Sequence, residues 1–118
     1  MSLKAAKHRH TKVEAILDAA ETYRIASTPE WRKLAELSEE TVLDGIRANP
    51  DSIIIDGDRF SGIMNVYVVL RVFGDDPFEE TDAFPARFEG HFEGAQAVID
   101  EADVSVRSFY IGSGIEPP

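Results

Sequence analysis

The sequence predicts an α+β domain: two N-terminal helices packed on an antiparallel sheet of about five strands. Three observations carry this. Apolar residues recur at helical spacing through the first 49 positions. After residue 52 they recur at strand spacing, punctuated by glycine-centred turn signals. The length, 118 residues, fits a single domain spanning 1–118.

Val13, Ile16, Leu17, Ala20 and Tyr23 fall on one face of a first helix, with Glu14, Asp18 and Glu21 mainly on the other. The helix fades near Ser27. Thr28 is placed to cap a second helix, with Pro29 at its first position and Glu30 complementing its dipole. The apolar face of this second helix reads Trp31, Leu34, Ala35, Val42, Leu43 and Ile46, with a break expected near Ser38. Asn49-Pro50 ends it, because the residue before proline avoids the helical region. Residues 12–49 are thus expected to be helical, and residues 1–11 a basic arm or first helical turn.

Residues 52–111 read as β. Ser52 to Ile55 is a β-branched run, and Asp56-Gly57-Asp58 is a hairpin signal. Phe60 to Phe73 forms a long strand, apolar on both faces, with Gly62 marking a bulge. Gly74 to Asp82 reads as an acidic loop. Phe84, Ala86, Phe88 and Phe92 share one strand face, and Arg87, Glu89 and His91 the other. Pro85 suits the start of that strand. After a turn at Gly94-Ala95-Gln96, Ala97 to Ile99 and Val104 to Ile111 are expected to pair across Asp100–Asp103. Residues 112–118 read as a mobile tail.

Charge narrows the function. Twelve Lys and Arg stand against 22 Asp and Glu, a formal net charge of −10. Binding along a phosphate backbone requires the opposite balance, so nucleic acid is not an expected partner. The charge is polarised: residues 1–12 hold four basic residues and no acid, whereas residues 74–118 hold two basic and eleven acidic ones. There is no cysteine, which excludes disulfides, thiolate metal sites and thiol nucleophiles. No apolar run reaches the length of a membrane span, and the N-terminus lacks a signal peptide's apolar segment. The expectation is a cytoplasmic protein without membrane attachment or cofactor.

Several clusters invite a chemical reading. Asp75, Asp76, Glu79, Glu80 and Asp82 form the densest run of carboxylates. Their spacing departs from a calcium-binding EF-hand loop, and they read either as a solvated loop or as a surface steering a basic partner. Asp56, Asp58 and His91 are the candidates for a metal-dependent hydrolase site, against the simpler readings of a turn and an exposed histidine. His8 and His10, among Lys4, Lys7, Arg9 and Lys12, read as a metal-binding pair or a solvated basic segment. Tyr23, Trp31, Tyr67 and Phe88 are the candidates to line a small-molecule pocket between helices and sheet. No G-x-S-x-G or phosphate-loop pattern occurs. The surplus of apolar residues in the β half, with Tyr67, Val69 and Phe73 on a second sheet face, predicts a covering partner, such as a second copy in a homodimer.

The order Val66-Tyr67-Val68-Val69-Leu70, an acidic stretch, Asp82-Ala83-Phe84-Pro85-Ala86, then Val104 to Tyr110 resembles a β-rich module of uncharacterised bacterial domains, some near mobile-element or defence loci. The resemblance covers residues 63–111 and implies a bacterial accessory protein with no catalytic motif. Together these readings favour a non-enzymatic, self-associating interaction protein, in one version an acidic inhibitor of a basic partner. A small-molecule binder and a metal-dependent hydrolase are the alternatives.

Overall fold

A computed structural model describes residues 3–109, with side chains from residue 11 onward. The class is α+β. Helix α1 (Leu3–Glu21) leads through a 3-10 turn at Ile25–Ser27 to a short helix α2 (Trp31–Ala35). Five strands follow: β1 (Glu40–Ala48), β2 (Ile54–Asp56), β3 (Arg59–Val72), β4 (Phe78–Glu93) and β5 (Gln96–Val104). All pairings are antiparallel, in the order β1-β3-β4-β5. β1 and β2 share one edge of β3 in succession: β1 pairs Met64 to Arg71, β2 pairs Arg59 to Ser61.

The core follows strand alternation. Phe60, Met64, Val66, Val68 and Leu70 of β3 point inward with Phe84, Ala86 and Phe88 of β4. Ile16 and Ala20 of α1, Ile25, and Leu34 of α2 are buried in the same cluster. At the end of β5, the Val104 N–H donates to Glu30 Oε1 (2.8 Å), and Lys33 Nζ donates to Glu30, Asp103 and the Val104 carbonyl (2.9, 2.9 and 3.1 Å). At the opposite edge of the sheet, the Thr41 hydroxyl of β1 donates to the Leu34 carbonyl (2.8 Å). The residues around α2 thereby tie both outer strands by polar contacts.

Two hairpins are closed by two-residue links, Gly57-Asp58 and Gly94-Ala95. In each, glycine alone takes a positive φ, at the first linking position, as a type II′ turn requires. Pro85 does not start a strand but lies inside β4, opposite Asn65. Its carbonyl accepts the Ser105 N–H (2.9 Å), so its donor-less nitrogen also faces the β5 side, just past the last β4–β5 pair, Ala86 with Val104.

Five further expectations are corrected. Residues 40–48 form β1, not the second half of a helix. A bulge between Leu43 and Gly45 adds a residue to this strand. The inward positions Leu43 and Ile46 are then spaced by three, which mimics a helical stripe. The acidic loop is shorter than expected, because β4 begins at Phe78 and runs sixteen residues. Asp100 to Asp103 are not a turn: β5 is continuous, with a register shift opposite Glu89 and Gly90. Gly62 marks no bulge in the β3–β4 register; it makes room for Phe88, whose Cζ would lie 2.6 Å from an added Cβ. The expected strand beyond Val104 gives way to helical residues at 107–109, and the remainder of that segment lies outside the described residues.

Candidate functional site

The β3–β4 hairpin is flanked unequally. On the β3 side β1 accompanies it as far as Arg71, next to the end of β3, whereas β5 pairs with β4 only from Ala86 onward. Among the described residues the distal half of β4 is therefore an uncovered edge, and only the tip, joined across residues 73–77, passes β1. Phe73 and Phe78 at its end are 53% and 54% exposed, and with Val72 and Pro77 they line a shallow apolar groove. The carboxylates of Asp75, Asp76, Glu79, Glu80 and Asp82 surround this tip and its adjoining edge.

Among the described residues, only Glu79 of the five has a cation in hand. Arg71 binds Glu79 through Nε (2.6 Å) and Glu40 through Nη1 (2.7 Å), stapling β1, β3 and β4 on the outer face. Its guanidinium is held even further above its usual range, first by the Glu40 bond and then by Glu79. Asp82 Oδ1 accepts the Ala83 N–H (2.8 Å). Among the described residues no ion pair engages Asp75, Asp76, Glu80 or Asp82. The distal end of the hairpin thus carries negative charge that no described cation compensates.

His91 belongs to a second cluster at the opposite end of β4. Its Nδ1 lies 2.9 Å from both Asp100 oxygens, and its Nε2 lies 3.1 Å from Glu93 Oε1. Arg59 Nη2 stands 3.9 Å from Asp100. Two carboxylates facing both ring nitrogens favour the imidazolium, which alone donates from both. Bonding to Asp100, then to Glu93, pushes the His91 pKa above its ordinary value. With both nitrogens engaged, the ring braces the β5 bulge and is not positioned as a base. Asp56 pairs with Arg59 across the β2–β3 ladder, and Asp58 accepts the Phe92 N–H on its backbone carbonyl (2.7 Å). Asp56, Asp58 and His91 therefore do not converge. Among the described residues no three His, Asp or Glu side chains could hold one metal ion. His8 and His10 lie outside the described side chains.

A raised histidine pKa stabilises the fold below the unfolded value near 6.5, and the contribution is lost as pH rises through the folded value. Urea denaturation is expected to show stability falling across this window in the wild type. The slope is expected to shrink in His91→Gln, while the imidazole proton resonances titrate above pH 6.5.

The four pocket candidates separate. Phe88 is fully buried on the inner face; Tyr23 and Trp31 are half-buried against the same core. Tyr67 faces outward from the opposite side of the sheet and is exposed. Strand alternation keeps it out of any cavity between helices and sheet. It lies instead in an outer-face groove with Asp44 and Arg47. Val42, Ile63 and Ile54 are exposed on that same face.

Arg71 and Asp100 are structural anchors that the sequence did not mark. Arg71 sits inside a strand that reads as apolar on both faces, and Asp100 inside a stretch that reads as a turn. Only the cross-strand register brings Glu40, Arg71 and Glu79 into one row. Among the described residues, no helix is long and apolar enough to cross a membrane. Comparison with known protein families, with curated proteins and with solved structures finds no match to this chain.

Proposed function

We propose that this chain is a non-catalytic interaction module that meets a basic protein partner through the distal half of the β3–β4 hairpin. One observation carries the reading: among the described residues β5 leaves the distal edge of β4 uncovered, so the carboxylates along that edge and the exposed Phe73 and Phe78 at the tip form one accessible surface. Carboxylates steer an oppositely charged partner over distances near the Debye length, and exposed aromatic rings supply apolar contact once it arrives. The net charge of −10 acts in the same direction. An acidic inhibitor of a basic protein is the most specific version. The resemblance of residues 63–111 to a module of bacterial accessory domains fits a cytoplasmic protein of this kind.

The test is kinetic. With a lysine-rich peptide as probe, the double variant Glu80→Lys, Asp82→Lys is expected to lower the association rate about tenfold or more at low salt, and to flatten its salt dependence. An unchanged association rate would sink the proposal.

The outer sheet face favours a second role, self-association. Val42, Ile63, Tyr67 and Ile54 are exposed there, and aromatic residues are enriched in interface cores. Sedimentation equilibrium is expected to show a dimer that Tyr67→Glu converts to monomer. A wild-type chain that sediments as a monomer at all concentrations would count against this second role.

A further inference from the structure

Among the described residues the acidic segment of β4 is also an open sheet edge, and its geometry deepens the reading above, on which this inference rests. From Phe78 to Phe84, β4 pairs with β3 alone among the described residues. The backbone direction at each position can be assigned. The Pro85 carbonyl accepts the Ser105 N–H on the β5 side, whereas the Phe92 N–H donates to the Asp58 carbonyl on the β3 side. Polar backbone groups alternate sides along a strand. Glu79, Thr81 and Ala83 therefore point their N–H and C=O groups toward the open side. The Ala83 donor is already closed by Asp82 Oδ1. Two donors, at Glu79 and Thr81, and three acceptors, at Glu79, Thr81 and Ala83, remain along an edge about 20 Å long. Phe109 stacks edge-on against Phe84 (centroids 6.5 Å apart) and bounds the edge at that end.

Side chains alternate with the opposite logic. Glu80 and Asp82 lie two residues apart on one face, with Glu79 on the other. A second copy is a poor occupant, because antiparallel pairing of two such edges would set carboxylates against carboxylates. The complementary occupant is basic. We propose that an extended segment of a basic protein partner adds to this edge as a strand, carrying Lys or Arg at every second position to lie beside Glu80 and Asp82. Backbone hydrogen bonds would fix the register, and the alternating charges would select the sequence.

The experiment titrates the intact chain with three peptides of equal length and charge. The first alternates Lys and Val. The second is the same peptide with alternate backbone nitrogens methylated along one edge. The third is the block isomer Lys-Lys-Lys-Val-Val-Val. The alternating peptide is expected to bind about tenfold or more tighter than the other two, the effect of one or two net hydrogen bonds. It is also expected to slow hydrogen exchange at the Glu79 and Thr81 amides. The variant Thr81→Pro removes one open-side donor while sparing the β3 ladder, at a position of the same parity as Pro85. It should abolish the preference without abolishing binding. Equal binding of all three peptides overturns strand addition but leaves the basic-partner reading standing. Failure of all three to bind overturns both.

Discussion

Replacing Phe88 with alanine is expected to lower stability by about 3–5 kcal/mol, the range for deleting a buried aromatic side chain. Phe88 is completely buried and meets Phe60 in an edge-on contact at 6.4 Å. It also covers Gly62, its cross-strand partner. No side chain there can fill the vacated volume, so a cavity should persist rather than collapse. Native stabilities of about 5–15 kcal/mol leave little reserve against such a loss. Thermal denaturation should show a fall in Tm of about 15 °C. A fall of only a few degrees would mean that the helices and strands repack around the gap. Gly62→Ala should destabilise the wild type, because its new methyl meets Phe88, and cost much less in the Phe88→Ala background. That coupling is the signature of direct contact.

Gly90→Ala is expected to be at least as damaging, at about 3 kcal/mol or more. An added Cβ would lie 2.5 Å from Phe60 Cζ and would also collide with the Val98 carbonyl oxygen. The ring could swing aside. The carbonyl belongs to the β4–β5 ladder next to its register shift, so moving it would uncouple the end of the sheet. The Phe60 ring is further confined by Phe92 at 5.2 Å. Denaturant unfolding of Gly90→Ala should show a markedly lower midpoint, and the Gln96–Ile99 amides should lose hydrogen-exchange protection. Retention of that protection at wild-type stability would show that β5 adjusts freely, contrary to the packing described.

The sequence revealed the fold where periodicity was unbroken and hid it where a bulge intervened. Phe60 to Phe73 is a long β-forming run, apolar on both faces, and β3 lies within a residue of that reading. The core face of β4, with Phe84, Ala86 and Phe88, was equally legible. β1 was not, because the extra residue near Asp44 changes the spacing of its inward positions from two to three. β5 was lost for a related reason: its register shift places Ile99 and Ala102, three residues apart, on the inner side. The first residues of β4 were hidden by composition. Glu79, Glu80 and Asp82 are poor strand formers, and their conformation is imposed by the long β3 partner and by Arg71.

The hairpin's acids were visible in the sequence as a cluster, but not as an edge. Their placement depends on where β5 stops, which is a matter of tertiary pairing. Tyr67 and Phe88 illustrate the same limit from the other side. Both are aromatic residues in the β half, yet one faces solvent and the other fills the core, a distinction set by strand parity alone.

The most direct test of this account is an amide-resolved NMR titration of the intact chain with a basic peptide. The account predicts that chemical-shift changes concentrate on residues 73–83, with Glu79, Thr81 and the tip flanked by Phe73 and Phe78 most affected. Changes centred on the outer face around Tyr67 and Ile63, or on the His91 cluster, with the hairpin silent, would contradict it.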